Sequence, residues 1–236
     1  GGMNPNAKEE LEAARLAALE SYEVLDTKSE RAFDDLTALI ASVCQTPIAL
    51  VSLLDTERQW FKSRHGLDAL ETPREYAFCD HAIRAPGIMV VHDAQADERF
   101  RENPLVTGAP NIRFYAGSPL VDGDGHAMGT LCVIDRKPRQ LTPEQVDALE
   151  KLSRQVVHLL ELRRNQRRLA SCLKGIRSIS DMLPICSHCY AVRDEADEWQ
   201  RIERYFQELT GTQFTHGVCP ACMVKHYGVD PHAPED

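Results

Sequence analysis

Two closely spaced pairs of cysteines constrain the folding of this 236-residue chain more than any other feature of its sequence. Cys186 and Cys189 form one C-x-x-C pair, and Cys219 and Cys222 form the other. A segment of about 50 residues buries too little apolar surface to fold well alone, so paired cysteines in it indicate cross-links or a metal. We see no secretion signal, which disfavours a disulfide framework, and four thiolates match the tetrahedral coordination of Zn²⁺. The sequence therefore predicts one structural zinc ion per chain, bound by these four cysteines.

Two alternatives stay open for this segment. His216 lies shortly before Cys219 and is a rival ligand that could replace one thiolate, and each C-x-x-C pair could instead form a reversible disulfide. Apolar residues at helical spacing between the pairs predict a helix that packs over the cysteines: Trp199, Ile202, Tyr205, Phe206 and Leu209. We assign residues 184–228 to this small zinc-ribbon-like module and residues 229–236 to a disordered tail.

Charge is divided unevenly along the chain. The formal net charge is −9, but residues 151–180 alone carry +7, between a segment of −10 before them and one of −6 after them. A composition of 43% hydrophobic and 27% charged residues is typical of a soluble globular protein, and the acidic balance argues against a dedicated nucleic-acid binder. No apolar run is long enough to cross a membrane. We therefore expect a cytoplasmic protein without a membrane partner, and we treat Gly1 and Gly2 as a cloning scar.

A helical period begins near Thr142 and continues to about Leu183. The first phase of its apolar residues contains Leu149, Leu152, Val156 and Leu159, and the second contains Leu162, Leu169, Ile176 and Leu183. Two heptad phases joined by a slip predict a long connecting helix over 149–183 that pairs in a parallel, homodimeric coiled coil. The alternative is that the first half packs on the preceding domain and the arginine-rich half is a solvated linker.

The first 148 residues alternate between helical and strand-like patterns. Helical spacing predicts helices over 8–22 and 29–44, and short apolar runs predict strands over 48–54, 59–64, 88–92, 113–121 and 128–135. The turn sequence Asp122-Gly123-Asp124-Gly125 predicts that the last two strands form a hairpin. Antiparallel strands with helices at both ends of the segment predict an α+β fold in which helices cover the sheet.

A series of short motifs in this region is similar to GAF domains of the bacterial signalling type. The motifs are IALVSL at 48–53, RQWFK at 58–62, FCDHAI at 78–83, NPLV at 103–106, RFYAG at 113–117 and GTLCVID at 129–135. The resemblance covers about residues 10–165 and implies a central antiparallel sheet with helices behind it and a small-molecule pocket in front. Family members are usually sensory or dimerisation modules. Residues 183–227, with both cysteine pairs, resemble a tail that follows sensory or receiver domains in bacterial signalling proteins.

Six residues are candidates for the ligand pocket: Cys79, His81, Arg113, Tyr115, Cys132 and Asp135. Cys79, His81 and Cys132 offer thiolate and imidazole groups for a metal or redox site. Alternatively, Cys132 is a small apolar residue of a buried strand, and His81 hydrogen-bonds a nearby loop. Arg113, Tyr115 and Asp135 could hold an anionic or polar ligand, and Arg113 could instead pair with Asp93 or Asp97.

We expect a bacterial sensory or regulatory protein that is not itself an enzyme. Its GAF domain, over 3–148, would bind an unknown small molecule or sense redox state, and the dimeric helix would relay the signal to the zinc module and a protein partner. Free-methionine-sulfoxide reductases are also GAF domains. One alternative is therefore a thiol enzyme that uses Cys79 and Cys132, with His81 as the cation that lowers a thiol pKa.

A cluster of arginines in the connecting helix supports a second alternative, a nucleic-acid-binding regulator. The cluster contains Arg163, Arg164, Arg167 and Arg168. Phosphate contacts by such residues give salt-dependent binding. Aromatic residues are not interleaved with the arginines, and charge runs are usually solvated, so we expect no nucleic-acid partner.

Overall fold

The computed structural model describes residues 5–180, 183–194, 196–215 and 217–228, without the side chains of residues 5, 6 and 173–180. The chain forms two compact units that divide between Arg167 and Arg168. The predicted cloning scar, the predicted disordered tail and His216 lie outside the described residues.

A six-stranded antiparallel sheet is the centre of the first unit. Its strands are β1 (Ile48–Leu54), β2 (Arg58–His65), β3 (Glu71–Pro73), β4 (Met89–Val91), β5 (Phe114–Val121) and β6 (Ala127–Asp135). They lie in the order β3-β2-β1-β6-β5-β4, so that β1 and β6 are central. The predicted α+β class is therefore confirmed, and the hairpin predicted at Asp122–Gly125 joins β5 to β6.

Helices cover one face of this sheet, which we call the back face. They are α1 (Pro5–Ser21), α2 (Arg31–Cys44) and the beginning of α5 (Pro143–Ser180). Phe33, Thr37, Ile40 and Cys44 of α2 are buried, and their spacing of four, three and four residues places them on one side of the helix. The back layer and alternate residues of β1, β5 and β6 form one apolar core.

The opposite face of the sheet, the front face, is covered by shorter elements. These are α3 (Phe78–Ala82), α4 (Pro104–Thr107) and the loops beside them. The rings of Phe78 and Phe100 stack with their centroids 4.0 Å apart, and the ring of Tyr115 lies 5.3 Å from that of Phe78. The front layer therefore forms a second apolar core, with stacked aromatic rings over the sheet.

The first half of α5 packs within its own unit. Leu149, Val156 and Leu160 are fully buried in the back-face core, and Leu152 and Leu159 pack against that core. The sequence left two interpretations for the first half of the helix: pairing with a second chain, or packing on the preceding domain. The structure shows it packed on the sheet, where its apolar side chains cover the back face.

The second unit is small and has little core of its own. It contains a two-stranded hairpin of β7 (Val192–Arg193) and β8 (Trp199–Gln200), followed by α6 (Ile202–Thr210) and α7 (Pro220–Tyr227). The helix predicted between the cysteine pairs corresponds to α6. No residue of α6 or α7 is buried, and Trp199 is 54% exposed.

Candidate functional site

A buried cluster of thiol and hydroxyl groups lies between α3 and the front face of the sheet. Cys79, in the first turn of α3, and Cys132, in the central strand β6, are at most 2% exposed. Thr130 precedes Cys132 by two residues on β6 and faces the same side of the sheet. Tyr115 reaches the cluster from β5. The fold therefore brings together two of the predicted site cysteines, which lie on separate elements.

Two hydroxyl groups donate hydrogen bonds to the sulfur of Cys79. The Thr130 hydroxyl lies 3.0 Å from this sulfur, and the Tyr115 hydroxyl lies 3.3 Å from it. Burial raises the pKa of the Cys79 thiol, but hydrogen bonds to this sulfur, the largest effect coming from Cys132, outweigh burial and lower the pKa to about 7. Hydrogen-bond donors around a sulfur favour the thiolate because they stabilise its negative charge.

The neighbours of Cys79 titrate in the opposite direction. Its proximity and burial raise the pKa of the Cys132 thiol well above the usual value. Burial, followed by the charge that Cys79 acquires, likewise raises the pKa of the Tyr115 hydroxyl. Cys79 is therefore the group of this cluster that ionises, and Cys132 and Tyr115 keep their protons.

A glycine makes room for the tyrosine. Gly117 lies two residues after Tyr115 on the same face of β5 and directly opposite Cys132 on β6. A Cβ atom at position 117 would lie 2.1 Å from the hydroxyl oxygen of Tyr115. The absence of a side chain at Gly117 is thus what allows the Tyr115 ring to lie flat over the strand and reach Cys79.

His81 does not take the role predicted for it. Its ring packs edge-on against Phe100, with centroids 4.9 Å apart. Partial burial lowers the pKa of His81, so the imidazole is neutral near pH 7. In the thiol-enzyme alternative His81 would have supplied a cation; a neutral imidazole does not do so, and hydrogen bonds from hydroxyl groups and a thiol lower the pKa of Cys79 instead.

Arg113 and Asp135 also lie apart from the thiol cluster. Arg113 donates two hydrogen bonds to Asp93, of 2.9 and 2.8 Å, which is the structural alternative considered for this residue. Asp135 accepts a backbone hydrogen bond from Arg136 and pairs with Arg139. Of the six predicted pocket residues, Tyr115 is hydrogen-bonded to Cys79, whereas Arg113 and Asp135 have arginine and aspartate partners elsewhere. Cys79, Tyr115 and Cys132 form one site, and Arg113 and Asp135 fix loops at the ends of strands.

The C-terminal cysteines are adjacent within each pair. Backbone amides of Cys189 and His188 lower the pKa of Cys186, and the backbone amide of Cys222 has the same effect on the pKa of Cys219. Among the described residues, the cysteines of the two pairs do not form a group of three or more metal-ligand atoms that all lie within 4.8 Å of one another. The group that satisfies this distance is Asp122, Asp124 and His126, in the hairpin between β5 and β6.

Three arginines of α5 bind the turn between α1 and α2, which sequence reasoning missed. Arg163 contacts Glu30 at 2.9 Å and donates to the backbone oxygens of Tyr22 and Glu23. Arg164 lies over the ring of Tyr22, and Arg167 pairs with Glu23 at 3.0 Å. The signal in the sequence was a pair of acidic residues: Glu23, directly after the first predicted helix, and Glu30, at the start of the second. Three of the four arginines that the nucleic-acid alternative would use for phosphate binding therefore already have partners within the domain.

Lys62 connects the turn between α1 and α2 to the sheet. The side chain of Lys62, in β2, is fully buried and lies 2.6 Å from Glu30, which it shares with Arg163. It also donates to Thr27 and to the backbone oxygen of Lys28. Glu30 thus links the sheet and α5.

The architecture defines the class of the protein: an α+β domain with one antiparallel sheet, a helical layer behind it and a polar cluster buried in front. Residues 29–160 match the family model of the GAF domain, and the chain belongs to this family of sensory domains. Over 65% of its length it resembles the GAF domain of a phosphoenolpyruvate-protein phosphotransferase from Coxiella burnetii, with a TM-score of 0.51 and 13% identity, across 96% of that chain. A likeness of this kind shows the fold alone. No described helix combines the length and the apolar character needed to cross a bilayer.

The chain is also similar to part of a cyclic di-GMP phosphodiesterase from Pseudomonas aeruginosa. The two are 46% identical over 147 residues, which is 62% of this chain and 25% of that enzyme. The chain therefore matches about a quarter of the length of this relative.

This relative overturns the expectation that the chain is not an enzyme. A segment that covers the GAF region is 46% identical to a protein named as an enzyme, which points towards enzymatic activity. The expectation rested on the resemblance to GAF domains, which are usually sensory or dimerisation modules. That reasoning was wrong because a GAF fold does not by itself define the activity of the protein in which it works.

Proposed function

We propose that this chain is a sensory part of cyclic di-GMP breakdown, in which the GAF domain responds to a small ligand or to redox state. The observation that carries the proposal is the 46% identity to a segment of a cyclic di-GMP phosphodiesterase. Fold similarity alone assigns no activity, so this level of identity is the supporting fact.

Helix α5 is the proposed relay. It begins in the core of the GAF domain and extends to Ser180, beyond the division between the two units. Leu162 and Leu169 are seven residues apart, and they are 53% and 61% exposed. Two leucines at the same heptad position, uncovered in one chain, favour pairing with a second copy. We therefore propose a parallel homodimer through this part of α5; Ile176, of the predicted second phase, lies among the side chains outside the described residues.

The four C-terminal cysteines are the proposed ligands of one structural zinc ion. Cys186 begins a tight turn in which its backbone oxygen accepts from Tyr190 and its backbone nitrogen donates to Ala191. Cys219 is the residue before α7, and Cys222 lies in the first turn of that helix. A turn and a helix start, each with two thiols, are a donor set that suits zinc. Bound zinc would hold this small unit folded, and its exposed apolar residues would contact a protein partner.

A chimeric enzyme tests the cyclic di-GMP proposal. Residues 10–167 of this chain would replace the matching segment of the Pseudomonas enzyme, and the linear dinucleotide product would be measured by chromatography. We expect the chimera to hydrolyse cyclic di-GMP and to change its rate when Arg163 is replaced by methionine, since Arg163 anchors α5. The proposal would be refuted if the rate of cyclic di-GMP hydrolysis stayed the same both in the Arg163→Met chimera and after deletion of residues 10–167 from the chimera. The chain itself would be assayed in parallel for hydrolysis.

Native mass spectrometry tests the relay and the zinc ion together. We expect a dimer with one zinc ion per chain, conversion to monomers in Leu162→Asp, and loss of zinc in Cys186→Ser. Cys172→Ser is the matched control for the metal, because Cys172 lies outside the cysteine pairs. A zinc-free protein with readily cycling disulfides would overturn the zinc proposal in favour of redox chemistry.

One observation favours the thiol enzyme as a second candidate function. Cys79 of α3 and Cys132 of β6 lie in the same buried cluster, and a reductase that forms a disulfide during turnover requires two neighbouring thiols. Steady-state consumption of free methionine sulfoxide, abolished in Cys79→Ser, would establish this function, and its absence in the reduced wild-type protein would exclude it.

A further inference from the structure

The surroundings of Cys79 differ from those of another buried thiol in the same domain. Cys44, at the end of α2, is fully buried in the back-face core, and burial raises the pKa of its thiol to about 11. Cys79 is buried to the same degree, but it accepts hydrogen bonds from Thr130 and Tyr115. Burial alone therefore does not explain the environment of Cys79. Within one domain, the surroundings of Cys44 favour the protonated thiol and those of Cys79 favour the thiolate.

The second thiol of the front face is placed to react with the first. Cys132 belongs to the same buried front-face cluster as Cys79, and it lies on the same face of β6 as Thr130, whose hydroxyl is 3.0 Å from the Cys79 sulfur. Proximity to Cys79 and burial raise the pKa of the Cys132 thiol, which favours its protonated form. The two come from a short helix and the central strand, so a bond between them would join the front layer to the middle of the sheet. Because Cys79 is 2% exposed and Cys132 is fully buried, a reagent must be very small to reach either sulfur.

We propose that Cys79 and Cys132 form a thiol–disulfide switch that hydrogen peroxide oxidises, with Cys79 as the nucleophile and Cys132 as the resolving thiol. The proposal deepens the sensory role proposed above by naming the stimulus, and its chemistry can be tested without any measurement of cyclic di-GMP.

Oxidation takes place in two steps. The Cys79 thiolate attacks one oxygen of the peroxide, so that an S–O bond forms, the O–O bond breaks, and the departing hydroxide takes up a proton to become water. Cys132 then attacks the sulfur of the resulting sulfenic acid. The S–S bond forms, the S–O bond breaks, and the hydroxyl group leaves as water with the proton of Cys132. The two thiols lose two electrons in total, and the peroxide is reduced to two water molecules.

The disulfide would change the hydrogen bonding of its surroundings. The Tyr115 and Thr130 hydroxyls now donate to a sulfur that carries negative charge, and a disulfide sulfur is a much weaker acceptor. These groups would have to find other partners in a closely packed interior. Oxidation therefore alters β5 and β6 at the centre of the sheet as well as joining α3 to it.

Peroxide treatment of the full chain, followed by alkylation and peptide mass spectrometry, tests the proposal. We expect a linked Cys79–Cys132 peptide that dithiothreitol reverses, formed at peroxide concentrations that leave Cys44 reduced. Hydrogen bonds lower the pKa of Cys79 and burial raises that of Cys44, so at pH 7 Cys79 should be oxidised at least about tenfold faster than Cys44. The C-terminal cysteines give separate peptides and do not interfere.

Three variants separate the roles of the two thiols. In Cys132→Ser the sulfenic acid has no resolving partner, so dimedone, added as urea unfolds the peroxide-treated protein and exposes the buried sulfur, should trap it at Cys79. In Cys79→Ser dimedone should trap nothing at Cys132, and Cys44→Ser should behave as the wild type. Thermal unfolding of each variant checks that it is folded.

Oxidation of Cys79 no faster than that of Cys44 in the wild-type protein would overturn the proposal, even if a variant failed to fold. A sulfenic acid trapped on Cys132 instead of Cys79 would also overturn it. Failure of either kind leaves the cyclic di-GMP proposal standing, because hydrolysis by the chimera is measured separately.

Discussion

Replacing Arg163 with methionine tests whether the arginine segment of α5 anchors the helix or is a solvated charge run. The Arg163 side chain is 13% exposed, and it binds Glu30 and two backbone oxygens. Methionine keeps most of the apolar stem and removes only these polar contacts. Arg167→Met is the matched control, because its pair with Glu23 joins side chains that are 51% and 66% exposed.

The expected magnitudes follow from burial and from the remaining partners. Glu30 is 41% exposed and keeps its contact with Lys62, so loss of the Arg163 pair costs about 0.5 to 1 kcal/mol. The two hydrogen bonds to backbone oxygens contribute about 0.5 to 1 kcal/mol each, which gives about 2 kcal/mol in all. An exposed pair such as that of Arg167 contributes about 0 to 0.5 kcal/mol. The corresponding change in melting temperature for Arg163→Met is about 4 to 8 °C.

Urea unfolding followed by tryptophan fluorescence measures this difference. The chain has two tryptophans, and replacing exposed Trp199 with phenylalanine leaves Trp60, which is 7% exposed in the GAF core, as the reporter. Both arginine variants would be compared in this background at equal m-values. Equal losses of stability in the two variants, within about 0.5 kcal/mol, would refute the anchoring role and restore the solvated-linker interpretation.

Three further predictions concern the thiol site, acid stability and the second unit. Gly117→Ala should destabilise the GAF domain by about 1 to 3 kcal/mol through overpacking against Tyr115. It should also slow peroxide oxidation of Cys79, because a displaced Tyr115 hydroxyl no longer donates to the sulfur; unchanged urea unfolding and oxidation would contradict this. Hydrogen bonding to Arg15, opposed by burial, lowers the pKa of Glu12 to about 2, so its stabilising contribution is complete above about pH 4.5 and is lost as the pH falls towards 2. Urea unfolding between pH 3 and 6 should therefore show a weaker acid dependence in Glu12→Gln, and equal slopes would exclude this contribution. A zinc chelator should unfold residues 184–228 without changing the fluorescence of Trp60, as circular dichroism and fluorescence would show; loss of both signals together would contradict independent folding of the two units.

Local sequence patterns were sufficient to predict most elements of the GAF domain. The apolar run Ile48–Leu54 is β1 with the same bounds, since a strand buried on both faces is continuously apolar. The short strand β3 was not predicted, because its three residues, Glu71–Pro73, carry no alternation of apolar and polar side chains. Sequence patterns therefore determined the apolar strands, including the short edge strand β4 (Met89–Val91), and missed the polar edge strand β3.

Contacts between distant residues could not be predicted in the same way. The motifs around Cys79 and Cys132 identified both residues as candidates, but their contact depends on how α3 packs on the sheet. Arg113 and His81 are chemically equally suited to a site, and only the fold shows that one binds Asp93 and the other packs on Phe100. The residue type indicates which interactions a side chain can make, whereas tertiary packing determines which neighbour it interacts with.

Strand β5 has different partners on its two faces, and this has a consequence for communication within the domain. Tyr115 points forward to Cys79, and Ser118 points backward, where its hydroxyl lies 2.8 Å from that of Ser153 in α5. Three residues of extended chain span about 10 Å. Oxidation of Cys79 on the front face would therefore act on the same strand that holds α5 on the back face. A change in the twist of β5 would be enough to transmit this effect to α5, and no loop would have to move.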